Sequence, residues 1–300
     1  MNWDDVRHFL ALSRTGKLTR AGMRLGVDHT TVRRRIISLE RTLGEQLFVR
    51  SPRGYSLTEA GKRLVGHAEE IESRILVAQG EFDAGRPTLS GVVRIGAPEG
   101  LGRYVIADAA AELAVANPEL EVQLTAAPRI MNLADREVDV AISVSRPTTG
   151  RLKVRKIIDY GLHLYGHKDY LARVGPLASL GDLKRIRGIG YIPEQIYDEE
   201  LNYLPQIRED LKPHLTSSSI NVQLGLTLAA RGVCVLPAFM ARHHPELIRI
   251  LAREVDIVRS FWIVTPEDLG RIEKIRAVAE HVALRVREAI GAAQAGAEAA

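Results

Sequence analysis

Three consecutive arginines, Arg33, Arg34 and Arg35, follow closely on His29, Thr30 and Thr31. Guanidinium groups are permanently charged forks that match phosphate oxygens and the acceptor edge of guanine, and hydroxyl and imidazole groups add shorter hydrogen bonds. This is chemistry for a nucleic acid. Thr19-Arg20 on one side, and Arg50 and Arg53 on the other, extend the same basic set. A second set is scattered through the rest of the chain: Ala97-Pro98-Glu99-Gly100, Ser143 and Ser145, and Ser217-Ser218-Ser219-Ile220-Asn221. Free backbone N–H groups at helix openings, with hydroxyls and an amide nearby, suit a small ligand and favour an anion. Plain helix capping explains the serine cluster equally well, and Glu99 would repel a carboxylate if it pointed inward.

Other chemistries find no support. The chain has no G-x-S-x-G, HExxH, P-loop or complete dinucleotide fingerprint, and Gly188-Ile189-Gly190 lacks the third glycine. His243-His244 lacks metal-spaced partners and reads as a solvated loop, while His163 and His167 are too far apart along a strand to share a metal. The lone Cys234 excludes an intrachain disulfide and sits in an apolar phrase, as an inert small hydrophobe would. Neither a cofactor nor an enzymatic activity is expected. An acidic start, Asp4-Asp5, and the absence of a long uncharged apolar run lead us to expect a cytosolic protein without a membrane span.

The basic residues need a scaffold. Residues 1–65 hold thirteen Lys and Arg against six Asp and Glu, whereas the other 235 residues are slightly acidic. That asymmetry sets a polyanion-binding segment apart from a near-neutral body. Residues 3–14 have helical apolar spacing that ends at Thr15-Gly16. Thr19 is placed to cap a short helix over 20–25, closed by Gly26. Asp28 opens a longer one in which Val32, Ile36, Leu39 and Leu43 form one stripe, with His29, Thr30, Arg33 and Arg34 opposite and Arg35 on the flank. Two helices joined by Gly26-Val27-Asp28 suit a helix-turn-helix whose second helix enters the major groove. Two extended runs around Ser51-Pro52-Arg53-Gly54 then read as a hairpin wing, which would hold Arg50 and Arg53 near phosphates.

These residues carry a likeness. The opening Phe9-Leu10 helix, Thr19-Arg20-Ala21, the run from Thr31 to Glu40, the phrase from Leu43 to Arg50, and Leu57-Thr58-Glu59-Ala60-Gly61 resemble the winged helix-turn-helix of LysR-type transcriptional regulators. Asp28, Gly22, Arg33 and Arg35 depart from residues common in that family, which bears on the base sequence read. Thr58 then starts a long helix with Ala60, Leu64, Ala68, Ile71, Ile75, Ala78 and Phe82 along one narrow seam. Such a seam suits helix pairing, or packing on the helix's own domain. The family uses this helix to dimerise, and its assembly is a homodimer or a homotetramer. Gly85 to Gly91 reads as a hinge.

Beyond it, strands and helices alternate as in an α/β architecture with largely parallel sheets. Strands are expected at 92–97, 120–126, 138–144, 154–158, 161–166, 188–192, 233–236 and 261–264, and helices at 103–117, near 131–136 and at 222–230. The phrases Gly91-Val92-Val93-Arg94-Ile95-Gly96, Asp139-Val140-Ala141-Ile142 and Arg231-Gly232-Val233-Cys234-Val235-Leu236-Pro237 resemble the family's effector domain, similar in fold to periplasmic binding proteins. The resemblance implies a DNA-binding domain at 1–57, a linker helix and hinge at 58–90, and an effector domain at 91–290. Its first lobe spans about 92–160 and 264–290 and its second about 161–263, with a flexible tail at 291–300. It also implies a regulator of promoter DNA that senses a small molecule at Ala97–Gly100, Ser143, Ser145, Ser218, Ser219 and Asn221. The rival reading is a DNA-binding repressor without an effector, whose α/β domain only oligomerises.

Overall fold

A computed structural model describes residues 1–52, 54–83, 88–127 and 137–298, with backbone alone at 79–83 and 294–298. The chain divides into two compact units, Met1–Ala84 and Gly85–Ala300.

In the first unit, capping chemistry sets most helix limits. Helix α1 (Trp3–Thr15) starts where the Asn2 side chain accepts the Asp4 N–H and stops at Gly16, whose φ is 63°. Helix α2 (Leu18–Leu25) stops at Gly26 and α3 (His29–Leu43) at Gly44, both glycines again left-handed. Thr19 is not the cap expected: α2 begins two residues earlier, with Lys17 at the capping position and no side-chain bond there. Starting at 18 brings Leu18 into line with Ala21 and Leu25, and all three pack on the core. Strands β1 (Phe48–Ser51) and β2 (Gly54–Leu57) form the wing, with Arg50 opposite Tyr55. The Tyr55 N–H donates to the Gly16 carbonyl at 2.8 Å, pinning the wing to the end of α1.

The core of this unit gathers Phe9, Leu10, Leu12, Val32, Ile36, Leu39, Leu47 and Phe48. Leu43, expected on the same stripe, is 39% exposed. Thr58 caps α4 (Glu59–Asp83), its hydroxyl oxygen accepting the Gly61 N–H at 3.0 Å. The seam of α4 divides. Ala60, Leu64 and Ala68 pack on the helix-turn-helix core, as in the own-domain reading. Ile71 and Ala78 are exposed and Ile75 is half-buried. The Phe82 side chain and the start of the expected hinge, 85–87, lie outside the described residues.

In the second unit the chain runs through β3 (Gly91–Ala97), α5 (Glu99–Leu101), a π-helical turn (Gly102–Ile106), α6 (Ala107–Ala116), β4 (Leu120–Ala126) and β5 (Val140–Ser143). The helix expected near 131–136 lies outside the described residues. Next come β6 (Leu152–His167), α7 (Lys168–Val174), β7 (Gly188–Gly190), α8 (Leu204–Ile207), β8 (Leu215–Thr216), α9 (Ile220–Leu228) and β9 (Val233–Pro237). The unit ends with α10 (Ala238–Ala241), β10 (Leu247–Arg249), β11 (Ile257–Pro266) and α11 (Glu273–Glu298).

The sheet order is β4-β3-β5-β11-β6-β9-β7-β8, and β10 adds to β6. Pairing is parallel within β4-β3-β5 and within β9-β7-β8, so each end is one lobe. The two long strands β6 and β11 run antiparallel to each other and join the lobes. The expected strands at 154–158 and 161–166 are thus one strand. Tyr160 and Gly161 stay paired with Arg259 and Val258, and Asp159 accepts a hydrogen bond from the Ser260 hydroxyl, so nothing turns the chain there. The lobe limits expected at 160 and 264 consequently fall inside continuous strands. Helix α11 buries Val278, Val282, Val286 and Ile290. Its helix runs on to Glu298, where a flexible tail was expected; alanine is the strongest helix former and this segment is rich in it.

Candidate functional sites

The helix-turn-helix closes tightly. Gly22 is buried, and a Cβ there would stand 2.6 Å from the Val27 carbonyl oxygen, so the turn lies directly against α2. Asp28 accepts both the backbone N–H and the hydroxyl of Thr30, and these two bonds, side chain first, hold its carboxyl below the usual range. The Thr30 proton is therefore committed to the cap, leaving that hydroxyl as an acceptor. His29, Thr30, Arg33 and Arg34 are exposed along the first half of α3, and Thr31 is half-buried beside them. Thr19 and Arg20 at the start of α2, and Arg50 on the wing, are exposed too. Arg53 lies outside the described residues. Arg35 turns the other way, to Asp4 at 3.0 Å and Asp5 at 3.3 Å, and braces α3 against α1. Arg33 and Arg34 have no ionic partner among the described residues, so this face offers two uncommitted guanidinium groups at a helix start.

A second feature is the outer half of α4. His67, Glu70, Ile71, Arg74, Ile75 and Ala78 line a shallow apolar-centred groove. The helix is anchored beneath it by Arg14, whose guanidinium meets both carboxylate oxygens of Glu72 at 3.1 and 2.8 Å. Such bidentate pairing fixes direction as well as position.

In the second unit, two of the expected ligand segments meet. The Ser219 hydroxyl donates to Glu99 Oε1 at 2.8 Å and accepts the Val222 N–H, so one side chain caps α9 and bridges the lobes. The Ser145 hydroxyl donates to Asp198 Oδ2 across the same gap. Between the lobes lies a cavity of about 40 Å³. Of the residues named from the sequence, Pro98, Glu99, Gly100 and Ser218 line it. Ala97 is buried, Val144 takes the place of Ser143 and Ser145, and Asn221 is absent from the lining.

Most of the wall was not anticipated from sequence. Tyr160, Tyr191, Tyr197, Tyr203, Phe239 and Phe261 supply it. Tyr160 and Phe261, neighbours on β6 and β11, stack with ring centres 4.0 Å apart, and Phe239 meets both edge-on at 6.1 Å. Six of the eight tyrosines fall between 160 and 203, a clustering that could have marked the wall. Burial pushes the hydroxyls of Tyr191 and Tyr197 up, and the Glu99 charge adds to that, so both stay neutral at neutral pH. The α9 opening that favoured an anion is already capped by the Ser219 side chain, and the first residue of α5 is the acidic Glu99.

The remaining candidates have structural roles. Gly188 to Gly190 form a fully buried strand. Burial pushes the Cys234 thiol up to about 12, and its sulfur lies 3.5 Å from Gln223 Oε1. The histidine pair lies in a turn, with His243 exposed, and also packs on Tyr104, whose hydroxyl is 3.1 Å from His244 Nε2. Among the described residues there is no group of three or more metal-ligating side chains, and no helix long and apolar enough to cross a membrane.

Comparison with known proteins agrees with both halves of this description. Residues 3–62 match the family model for the bacterial regulatory helix-turn-helix protein of the lysR family, and residues 86–286 match that for the LysR substrate binding domain. The chain is 27% identical over 297 residues to the transcriptional activator TtdR of Escherichia coli, covering 96% of this chain and 94% of that one. It is similar in fold to the solved structure of CrgA from Neisseria meningitidis, with a TM-score of 0.57 at 24% identity, covering 94% of this chain and 99% of that one. A full-length OxyR variant from Pseudomonas aeruginosa gives 0.66 at 20% identity, covering 95% of each chain.

Proposed function

The chain belongs to the LysR family of bacterial transcriptional regulators, and from that premise we propose a dimer-based reader of promoter DNA, working in the cytoplasm, whose operator affinity is set by a small molecule held between the two lobes. The family's regulators bind promoter DNA, and the uncommitted Arg33 and Arg34 at the start of α3 are the observation that supports this reading most directly. In this reading α3 enters the major groove, with His29, Thr30, Arg33 and Arg34 toward the bases, Thr19, Thr31 and Arg20 beside them, and Arg50 and Arg53 on phosphates. Two copies joined through α4, alone or within a tetramer, place two such helices on half-sites about one helical turn apart.

Base readers and phosphate holders fail differently. Arg34→Ala is expected to weaken an operator selected from random duplexes by about 1–3 kcal/mol, with much less effect on random DNA. Arg50→Ala is expected to weaken all sequences alike and to flatten the salt dependence by about one unit of slope. Anisotropy titrations over a range of salt separate the two, and identical profiles for both variants would refute the assignment.

The effector part of the proposal rests on the lobes' capacity to act on operator affinity. Gly100 abuts Met240 and Ile220 of the opposite lobe, and a Cβ there would overlap the Met240 sulfur. Gly100→Leu therefore acts as a wedge between the lobes. It is expected to shift operator affinity by about 5- to 150-fold with no small molecule added, the usual range of coupling between sites. Unchanged affinity and an unchanged footprint would favour an α/β unit that only oligomerises.

A further inference from the structure

The cleft contains one polar group that its own residues leave unsatisfied. Glu99 gives Oε1 to the Ser219 hydroxyl. Its other oxygen, Oε2, is buried and has no hydrogen-bond partner among the described residues. Glu99 is also the one formally charged residue among those lining the cavity. A buried carboxylate oxygen without a donor is costly, and a ligand that brings a donor recovers that cost. The rest of the wall points the same way. The faces of aromatic rings are electron-rich and attract a desolvated cation, and Tyr160, Phe239 and Phe261 line the same cavity as Glu99, with Tyr160 and Phe261 stacked on one another and Phe239 edge-on to both. An anionic ligand would meet a like charge and find no basic side chain in the lining.

We propose that this cleft selects a small organic cation with a primary ammonium group, whose N–H donates to Glu99 Oε2 while its carbon skeleton lies against the aromatic wall. The proposal rests on the reading of the cleft as the effector site, and it replaces the anion expected from the helix openings. Size sets a bound as well. The cavity of about 40 Å³ is small beside the roughly 300–1,000 Å³ usual for ligand pockets, so all but the smallest cations are expected to part the lobes. Parting would stretch the Ser219–Glu99 and Ser145–Asp198 hydrogen bonds, which gives ligand size a direct effect on lobe separation.

The test is calorimetric titration of the full-length chain, at matched ionic strength, with a series from methylammonium to benzylammonium and with the carboxylates from acetate to phenylacetate. At least one ammonium ion is expected to bind at least tenfold more tightly than its carboxylate counterpart. That binding is expected to fall at least tenfold in Glu99→Gln, which keeps the side chain's shape and an oxygen for Ser219. Ammonium binding that is equal in wild type and Glu99→Gln would overturn the proposal by placing the cation elsewhere. Preferential binding of carboxylates, lost in Gly100→Leu, would overturn the ligand class and leave the cleft as the effector site. Failure of both series at their solubility limits would also overturn it, while the wedge experiment judges the effector reading independently.

Discussion

A chain carrying Ile71→Asp and Ile75→Asp is expected to sediment as a monomer with its helix content intact. Neither residue belongs to the helix-turn-helix core, which is closed by Ala60, Leu64 and Ala68 further up the same helix. Folding of the first unit should therefore survive the change. A two-fold interface contains each position twice, so the double variant removes four isoleucines from it. Ile71 is 36% exposed and Ile75 less so, which leaves at most about a third of the roughly 1.5–3 kcal/mol of full burial to be gained at each, or about 2–4 kcal/mol for the four, before the cost of four buried carboxylates. With about 1.4 kcal/mol per factor of ten, the dissociation constant rises by at least one order of magnitude from the apolar loss alone, and the buried charges add to that. Sedimentation velocity with far-UV circular dichroism checks both halves of the expectation. An assembly of wild-type size would show that the open half of the seam is covered within one chain.

Gly54→Ala is expected to cost the first unit about 3–5 kcal/mol, a large share of the roughly 5–15 kcal/mol that holds most domains folded. The backbone at Gly54 has φ of 132°, a region that side chains rarely adopt, and a Cβ there would overlap the Gly16 carbonyl oxygen. Relief requires the wing to move off α1, which breaks the hydrogen bond from Tyr55 to Gly16. Strain and lost pairing therefore add. The chain has two tryptophans, Trp3 in the first unit and Trp262 in the second. Urea unfolding followed by Trp3 fluorescence in a Trp262→Phe background thus reports the first unit alone. A midpoint equal to that of the parent would mean that the wing yields without cost.

How much of this was legible in the sequence depends on how local the determining interaction is. Asp28, Thr58, Gly16, Gly26 and Gly44 act within a few residues of where they stand, so most helix ends in the first unit follow from the sequence. The start of α2 did not, because Leu18's place in the core outweighed Thr19's capacity to cap. The seam of α4 has one periodicity but two partners, and periodicity carries no information about where the first partner ends. The cleft was the least legible. Glu99 and Ser219 are 120 residues apart, and their meeting depends on the crossing of β6 and β11. Phe261 reads as an ordinary strand residue and Tyr160 as part of a break between two strands, until the register of β6 and β11 brings their rings together. Loops suited to a ligand could be picked out residue by residue, whereas the charge facing the ligand required the assembled lobes.

The lobe built on β3, β4 and β5 is completed by α11, so its parts leave the ribosome at widely separated times. At about 5–20 residues per second, the stretch between Ser143 and Ile290 takes about 7–30 s to synthesise. During that interval Val93, Ile95, Val140 and Ile142, all buried in the finished protein, lack the α11 side chains that pack over this lobe. The other lobe is encoded within that interval, and the DNA-binding unit precedes both. A nascent chain can therefore present a finished DNA-reading unit well before it has a finished sensor, and protection of the half-built sheet by a chaperone is a cost that follows from the chain order alone.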